Sequence, residues 1–182
     1  VGHDWGGAIA WGVALTGQAN GRVTRAVIAN APHPVGFARL VWLNRHQRES
    51  SQYMRVFRDT ANDQLIRDHG LVGMLIKGFE GRFGTDDKME PEERAQLLKD
   101  WEDRESAFAM INWYRASPMY GPEMDEPYAI RADRAPPVLP PLTIPTLVIW
   151  ALDDLALPPE NLDGLEDMVT DMTLVKVPGC GH

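Results

Sequence analysis

Residue types suited to hydrolytic chemistry occur at both ends of the 182-residue chain. Near the start, Asp4 lies within Gly2-His3-Asp4-Trp5-Gly6, which has the Gly-x-nucleophile-x-Gly form of a sharp strand-to-helix turn. A carboxylate at the exposed position can displace a leaving group from a saturated carbon and so form an alkyl ester. Water must then hydrolyse that ester, which requires a general base and an oxyanion hole.

The same turn predicts an oxyanion donor. A helix beginning at Gly6 would point its free N–H groups at Asp4, and the backbone N–H of Trp5 is the expected donor. We expect the two flanking glycines to be required, because side chains there would clash with the neighbouring strand and helix. The alternative is a glycine-rich turn in which Asp4 only caps a helix.

A base and an acid that orients it are predicted at the other end. His182 follows a strand and two glycines, and Asp154 lies in the loop after the preceding strand. Because Asp–His pairs orient an imidazole base, we expect Asp154 to accept a hydrogen bond from His182 and to stabilise its imidazolium form. Asp153 is the rival for this role.

The hydrophobic pattern predicts the elements that position these residues. Buried strands are predicted at 23–29, 146–150 and 173–177, and helices at 6–17 and 158–168. Apolar residues recur at helical spacing between 37 and 128, in the stretches 37–60, 63–78 and 91–116. A loop is predicted near Gly78, Gly81 and Gly84, and an extended proline-rich segment covers 135–145. Strands joined through helices imply a parallel sheet, and ligand sites in such sheets lie at the carboxyl ends of the strands.

The chain order of nucleophile, acid and histidine is that of α/β-hydrolases. With the helical insert and Asn112-Trp113-Tyr114-Arg115, the chain resembles the α/β-hydrolase-fold epoxide hydrolases of the soluble epoxide hydrolase type over essentially its whole length. The resemblance implies an α/β-hydrolase fold fragment, with parallel sheet strands, flanking helices and a helical cap insertion. The implied domains are a core segment 1–36 with the nucleophile turn, a helical cap 37–138, and a core segment 139–182 with the acid and histidine loops.

The resemblance also implies an acid for ring opening. In that family two cap tyrosines hydrogen-bond the epoxide oxygen, and here Tyr114 and Tyr53 match them. An alkoxide is too basic to leave unaided, and a phenol with a pKa of about 10 can protonate it. Because a halide needs no proton, two convergent tyrosines favour an epoxide over a haloalkane.

Two alternative functions remain open. A haloalkane dehalogenase would use the same Asp4, Asp154 and His182, and a non-catalytic small-ligand-binding protein of this fold would leave them unused. Fluoroacetate dehalogenases carry arginines one and four positions after the nucleophile, where this chain has Trp5 and Ala8. This difference argues against a small carboxylated substrate.

The amino-acid composition argues against several classes of binding partner. The net charge of −8 argues against binding to nucleic acid or to anionic membranes. The sequence contains no run of 18 apolar residues, so no membrane span is predicted. The single cysteine, Cys180, favours a reduced, cytoplasmic setting. His33, His46 and His69 lack the spacing of metal ligands, and no nucleotide-binding glycine pattern occurs, so we expect neither a metal nor a cofactor. The resemblance implies that the reactants are an apolar epoxide and water.

The two ends predict a fragment. Val1 directly precedes the nucleophile turn, and His182 is the last residue. We expect the strands before the turn, and with them a second oxyanion-hole N–H, to be missing. A chain with so few sheet strands would leave an exposed edge, so we expect the isolated piece to be poorly stable and inactive.

Overall fold

A computed structural model describes residues 1–79 and 90–182 of the chain. Contacts divide the chain into a first unit, Val1–Gln52 with Gly121–His182, and a second unit, Tyr53–Tyr120. The strands are β1 (Gly2–His3), β2 (Ala26–Ala29), β3 (Thr146–Ala151) and β4 (Met172–Val177). The helices are α1 (Asp4–Gly17), α2 (Pro34–Leu43), α3 (Arg45–Ser50), α4 (Gln52–Arg58), α5 (Asp63–Phe79), α6 (Pro91–Asp100), α7 (Arg104–Ala116) and α8 (Leu165–Met168).

The sheet of the first unit is parallel, as the sequence predicts, and its four strands lie in the order β1-β2-β3-β4. The short strand β1 joins the three predicted strands. The predicted strand 23–29 begins only at Ala26, which pairs with Thr146; because Pro145 precedes Thr146 and has no N–H, the ladder cannot extend further back. The carboxyl ends of all four strands therefore meet at one edge.

Several predicted helices are shorter than their apolar spacing suggests. The helical stretch 37–60 is not a single element but is divided among α2, α3 and α4. Asn44 separates α2 from α3, because its backbone is extended and its side chain accepts from Gln47 N at 2.9 Å, and Ser51 separates α3 from α4. The predicted helix 91–116 is broken in the same way at Asp103, which caps α7. Side chains of this type compete with continuous helix by bonding nearby backbone N–H groups.

Other helix predictions also need correction. The segment predicted as a helix at 158–168 contains a 3₁₀ turn at Pro159–Leu162 and the short α8, separated by Gly164 in the left-handed region. Residues 117–128 are not helical, and they contain three prolines that cannot continue a helix. Within the predicted glycine loop, Gly78 belongs to α5, whereas Gly81 and Gly84 lie outside the described residues.

Each unit has its own buried side chains. In the first unit the fully buried residues include Trp11 of α1, Ile28 of β2, and Val148 and Trp150 of β3. The core of the second unit is formed by Phe57, Ile66, Leu71, Ala107 and Ile111, with Tyr53 and Tyr114 packed against it. The predicted core segments 1–36 and 139–182 both lie in the first unit, and the assignment of 37–138 as a cap stays a prediction.

Two arginines, the buried Arg48 in the first unit and the half-buried Arg58 in the second, hold irregular segments through neutral carbonyl groups. Arg48 is fully buried, and the central carbon of its guanidinium lies over the ring of Tyr128, 3.8 Å from the ring centre. It donates hydrogen bonds to the carbonyls of Val41, Trp42, Glu123, Glu126 and Pro127. In the second unit, Arg58 donates to the carbonyls of Tyr114, Ser117 and Met119, just where α7 ends.

Among the described residues, no helix combines the length and the apolar character needed to cross a membrane.

Close backbone packing at the β1–α1 junction explains why two positions, Gly2 and Gly7, are glycine. A Cβ on Gly2 would lie 2.4 Å from the carbonyl oxygen of Gly6, and one on Gly7 would lie 2.3 Å from the Cβ of Ala31. A Cβ on Gly6 would meet nothing within 4 Å. The expectation that both flanking glycines avoid a clash is therefore correct for Gly2 and wrong for Gly6, because the tight second position is Gly7.

These contacts predict opposite effects for two neighbouring substitutions. Gly7→Ala should lower the free energy of unfolding by about 1–3 kcal/mol, because the new methyl group overpacks the junction. Gly6→Ala should leave it unchanged or raise it by up to about 1 kcal/mol, because alanine favours a helix over glycine. Thermal and urea unfolding of the two full-length variants would measure the difference, and equal destabilisation would contradict this account.

Candidate active site

The nucleophile candidate lies at the junction of β1 and α1. Asp4 is the first residue of α1 and has a φ of 50°, in the left-handed region that non-glycine residues rarely adopt. Its side chain is 44% exposed. The backbone N–H of Trp5 donates a hydrogen bond to the Asp4 carboxylate. The strained turn therefore presents a carboxylate to solvent with a helix N-terminus beneath it.

His182 connects two carboxylates of the first unit. Its Nδ1 lies 2.7 Å from Oδ2 of Asp154, and its Nε2 lies 3.4 Å from Oδ1 of Asp4. The structure thus places together the three side chains singled out in the sequence. With Nδ1 held by Asp154, Nε2 is the nitrogen directed toward Asp4, which is the orientation of a base held ready beside a nucleophile.

Asp154, not Asp153, makes the contact with His182. The side chain of Asp154 is fully buried, whereas Asp153 is exposed and its backbone N–H donates to the carbonyl of Cys180. Oδ1 of Asp154 accepts from the backbone N–H groups of Ala156 and Leu157, each at 2.9 Å. A buried carboxylate needs such donors, since each lost bond to water must be replaced.

Two further residues contact the site without having been identified from the sequence. Asn30, which follows β2, donates from Nδ2 to Oδ2 of Asp154 at 2.6 Å. The ring of His3 lies 4.6 Å from the ring of His182, centre to centre. The signal available for Asn30 was a polar side chain directly after the predicted strand 23–29, at the carboxyl end of a parallel strand.

Charge pairing sets the protonation of the site. Burial lowers the pKa of His182, but hydrogen bonds to Asp154 and Asp4 outweigh it and raise that pKa from 6.5 to about 10. Burial raises the pKa values of Asp4 and Asp154, but their bonds to His182 leave both below their usual value of 3.8. At neutral pH the site therefore holds an imidazolium between two carboxylates.

Linkage gives the direction of the pH effect on stability. Because the pKa of His182 is raised on folding, its contribution is complete below pH 6.5 and is lost as the pH rises through about 10. The contributions of Asp4 and Asp154 run the other way: they are complete above 3.8 and are lost as the pH falls below that value.

The two candidate tyrosines lie together in the second unit. The rings of Tyr53 and Tyr114 are 5.6 Å apart, at an interplanar angle of 82°. Phe57 packs against both rings, at 5.6 Å from Tyr53 and 4.9 Å from Tyr114. Arg58 holds the backbone carbonyl of Tyr114. The helices α4 and α7 thus bring these phenols into one aromatic cluster.

The remaining histidine at the strand edge has a different character. Burial lowers the pKa of His33 to about 4, and its Nδ1 accepts from Val35 N at 3.3 Å. It is therefore a neutral residue packed edge-on against Trp11. Within the part of the chain that the structure describes, no group of three or more His, Cys, Asp or Glu residues could hold a metal ion.

Several known proteins of similar sequence or structure are described as epoxide hydrolases. A family model for the alpha/beta hydrolase fold matches residues 1–182. A solved structure from a study of novel epoxide hydrolases of the alpha/beta hydrolase superfamily, from metagenomes of hot environments, is 60% identical with a TM-score of 0.92, covering 100% of this chain and 60% of that chain. The epoxide hydrolase of Bacillus megaterium, solved with an inhibitor, is 26% identical with a TM-score of 0.70, covering 99% of this chain and 61% of that chain.

Among curated proteins, epoxide hydrolase 2 of Caenorhabditis elegans is 30% identical over 79 residues, which are 43% of this chain and 22% of that protein. The chain spans about three fifths of the length of the two solved structures. These similarities confirm the resemblance identified from the residues.

The electrostatic account predicts the titration of His182. Asp4→Asn should lower the pKa of His182 from about 10, because it removes one of the two carboxylates that hold the imidazolium proton. Histidine ring signals followed by NMR in the full-length protein would measure the shift. Asp153→Asn is the matched control and should leave the pKa unchanged; equal shifts in the two variants would contradict the pairing.

Proposed function

This chain belongs to the alpha/beta hydrolase fold family, and we propose that it carries the catalytic residues of an epoxide hydrolase that opens an apolar epoxide to a vicinal diol. The supporting observation is the position of Asp4, a half-exposed carboxylate at a strained turn, 3.4 Å from a histidine held by a buried aspartate. Similarity to epoxide hydrolases along the full chain supports the substrate class.

In the proposed first step, an Asp4 carboxylate oxygen attacks an epoxide carbon. A new C–O ester bond forms, the ring C–O bond breaks, and its electron pair moves to the epoxide oxygen. A phenol of Tyr53 or Tyr114 donates a proton to that oxygen, so no free alkoxide is released. The two candidate donors belong to one aromatic cluster, with their ring centres 5.6 Å apart.

In the proposed second step, His182 activates water. Ester formation removes the negative charge of Asp4, which is one of the groups that raise the pKa of His182. The imidazolium then gives up its proton to solvent, from which the tyrosinate regains one, and the imidazole becomes a base. Asp154 keeps the ring oriented while Nε2 takes a proton from water, whose oxygen attacks the ester carbonyl carbon.

The oxyanion of this step develops on the Asp4 carboxyl group itself. The Trp5 N–H, which lowers the pKa of that carboxyl group in the resting site, is the donor proposed to stabilise the developing charge. As the tetrahedral intermediate collapses, the bond from the acyl carbon to the alkoxy oxygen breaks, and that oxygen takes a proton from the His182 imidazolium. The new Asp4 carboxylic acid returns a proton to the ring, so the diol leaves and the Asp4 carboxylate is restored. The sum is one epoxide plus one water giving one diol, with no metal or cofactor.

The haloalkane dehalogenase remains the second candidate function, because Asp4, Asp154 and His182 would act identically on a haloalkane. A non-catalytic ligand-binding protein is the third, and it would leave the Asp4–His182 contact without a purpose. We also propose a cytoplasmic location, supported by the single cysteine, Cys180.

The first prediction concerns the covalent intermediate. In the full-length protein, His182→Gln should accumulate the ester, because the water-activating base is absent. Intact-mass measurement after incubation with an aryl epoxide should give a gain equal to the whole epoxide. The same experiment on Asp4→Ala/His182→Gln should give none.

The other outcomes separate the alternatives. A gain of only an alkyl group from a haloalkane, with no gain from the epoxide, would favour the dehalogenase. No adduct with either reagent would overturn the ester mechanism and favour a binding protein.

The second prediction separates the roles of the phenols from those of the triad. Tyr114→Phe should slow ester formation from an epoxide by about 100-fold, because it removes a proton donor. It should leave the rate of ester hydrolysis unchanged. Quenched single-turnover reactions measure both rates, and Tyr128→Phe, whose ring stacks beneath Arg48, is the control. Equal slowing of both steps by Tyr114→Phe would argue against a proton-donor role.

A further inference from the structure

Asn30 connects the loops that follow two neighbouring strands. Its backbone N–H donates to the carbonyl of Ile149 at 3.0 Å, continuing the β2–β3 ladder. Its side-chain Oδ1 accepts from the backbone N–H of Ala151 at 2.8 Å, so the side chain supplies the next acceptor beyond the end of β2. Its Nδ2 then reaches Oδ2 of Asp154 at 2.6 Å.

The orientation of this amide is determined by the backbone. Because the N–H of Ala151 can only donate, the atom facing it must be the amide oxygen of Asn30. The amide nitrogen consequently faces Asp154, and its second contact, at 3.5 Å, is the carbonyl of Ala151. Asn30 therefore presents a donor to the same carboxylate oxygen that His182 contacts.

From this geometry we propose that Asn30 is a positioning residue for ester hydrolysis, an inference that rests on the proposed function. Asp154 receives four donors: two backbone N–H groups on Oδ1, and Asn30 together with His182 on Oδ2. Asn30 is the second side-chain donor to Oδ2, beside His182. It keeps the Asp154 carboxylate in the orientation that positions the His182 ring.

The backbone at this position restricts which residues could serve. Asn30 has a φ of 36° and is 4% exposed. Asparagine, aspartate and glycine tolerate positive φ better than other residues. Of these three, only asparagine combines that backbone with an N–H donor, since ionised aspartate offers acceptors alone and glycine has no side chain.

The proposal predicts a selective kinetic effect. Ester formation uses Asp4, Tyr53 and Tyr114, whereas ester hydrolysis needs the base held by Asp154. Loss of the Asn30 donor should therefore slow hydrolysis by about 10- to 100-fold, the effect of losing one hydrogen bond to a charged group. The rate of ester formation should stay within about twofold.

The experiment uses Asn30→Asp and Asn30→Gly in the full-length protein with an aryl epoxide. Asn30→Asp is isosteric, and Asn30→Gly tolerates the left-handed backbone, so at least one should fold. Quenched single turnovers give both rates, and intact mass gives the steady-state fraction of ester, which should rise above that of the unmodified protein. The matched control is Asn161→Asp, another buried asparagine, whose Nδ2 bonds Gln47 and not Asp154; the ratio of the two rates should not change in it.

The outcomes are distinct. Selective slowing of hydrolysis with ester accumulation in the Asn30 variants supports the positioning role. Equal slowing of both steps, or the same change in Asn161→Asp, indicates a merely structural residue and overturns it. If His182→Gln traps the ester while folded Asn30 variants hydrolyse it at the unmodified rate, only the Asn30 inference fails. If His182→Gln traps no ester, the proposed function itself fails.

Discussion

The buried negative charge of Asp154 is the constraint on which the rest of the site depends. Removing a carboxylate from water is costly unless donors replace the lost hydration. Those donors come from the loops after three different strands: Asn30 after β2, Ala156 and Leu157 after β3, and His182 after β4. A parallel sheet brings these loops to one edge. The donors reach Asp154 only in the correct strand register, and the ionised carboxylate that binds them in turn stabilises that register.

The same arrangement explains why the resting site is charged. His182 lies between two carboxylates, and its proton is held until one of them loses its charge. A base with a pKa of about 10 would be of no use at neutral pH in a fixed environment. Covalent chemistry at Asp4 changes that environment, so in the proposed mechanism the nucleophile controls when the base becomes available. The strained φ of Asp4 keeps its carboxylate within reach of both His182 and the Trp5 N–H.

Sequence reasoning identified the residues of the site better than the elements between them. Chain order and strand ends were enough to select Asp4, His182 and the neighbours Asp153 and Asp154, because parallel strands must deliver their following residues to one edge. Only the structure shows that Asp154 makes the contact with His182. The breaks at Asn44 and Asp103 were missed although both residues lie in polar runs, 44–52 and 102–106, because the capping hydrogen bonds that separate the helices are visible only in the structure. Asn30 was missed because its partner lies far along the chain, and Gly7 because its close neighbour, Ala31, is on another element.

The attachment of Arg48 to distant carbonyls bears on how the chain folds. Strands β2 and β3 pair although the whole segment between Ala29 and Thr146 separates them, and closing so long a loop costs chain entropy. Arg48 bonds the carbonyls of Glu123, Glu126 and Pro127 within that segment. Once these bonds form, the free chain left to be closed on either side is short. Because Arg48 must itself reach carbonyls 75 to 79 residues away, the chain entropy of closing the long segment is lost when the guanidinium binds, and pairing of β2 with β3 then closes only the short stretches that remain.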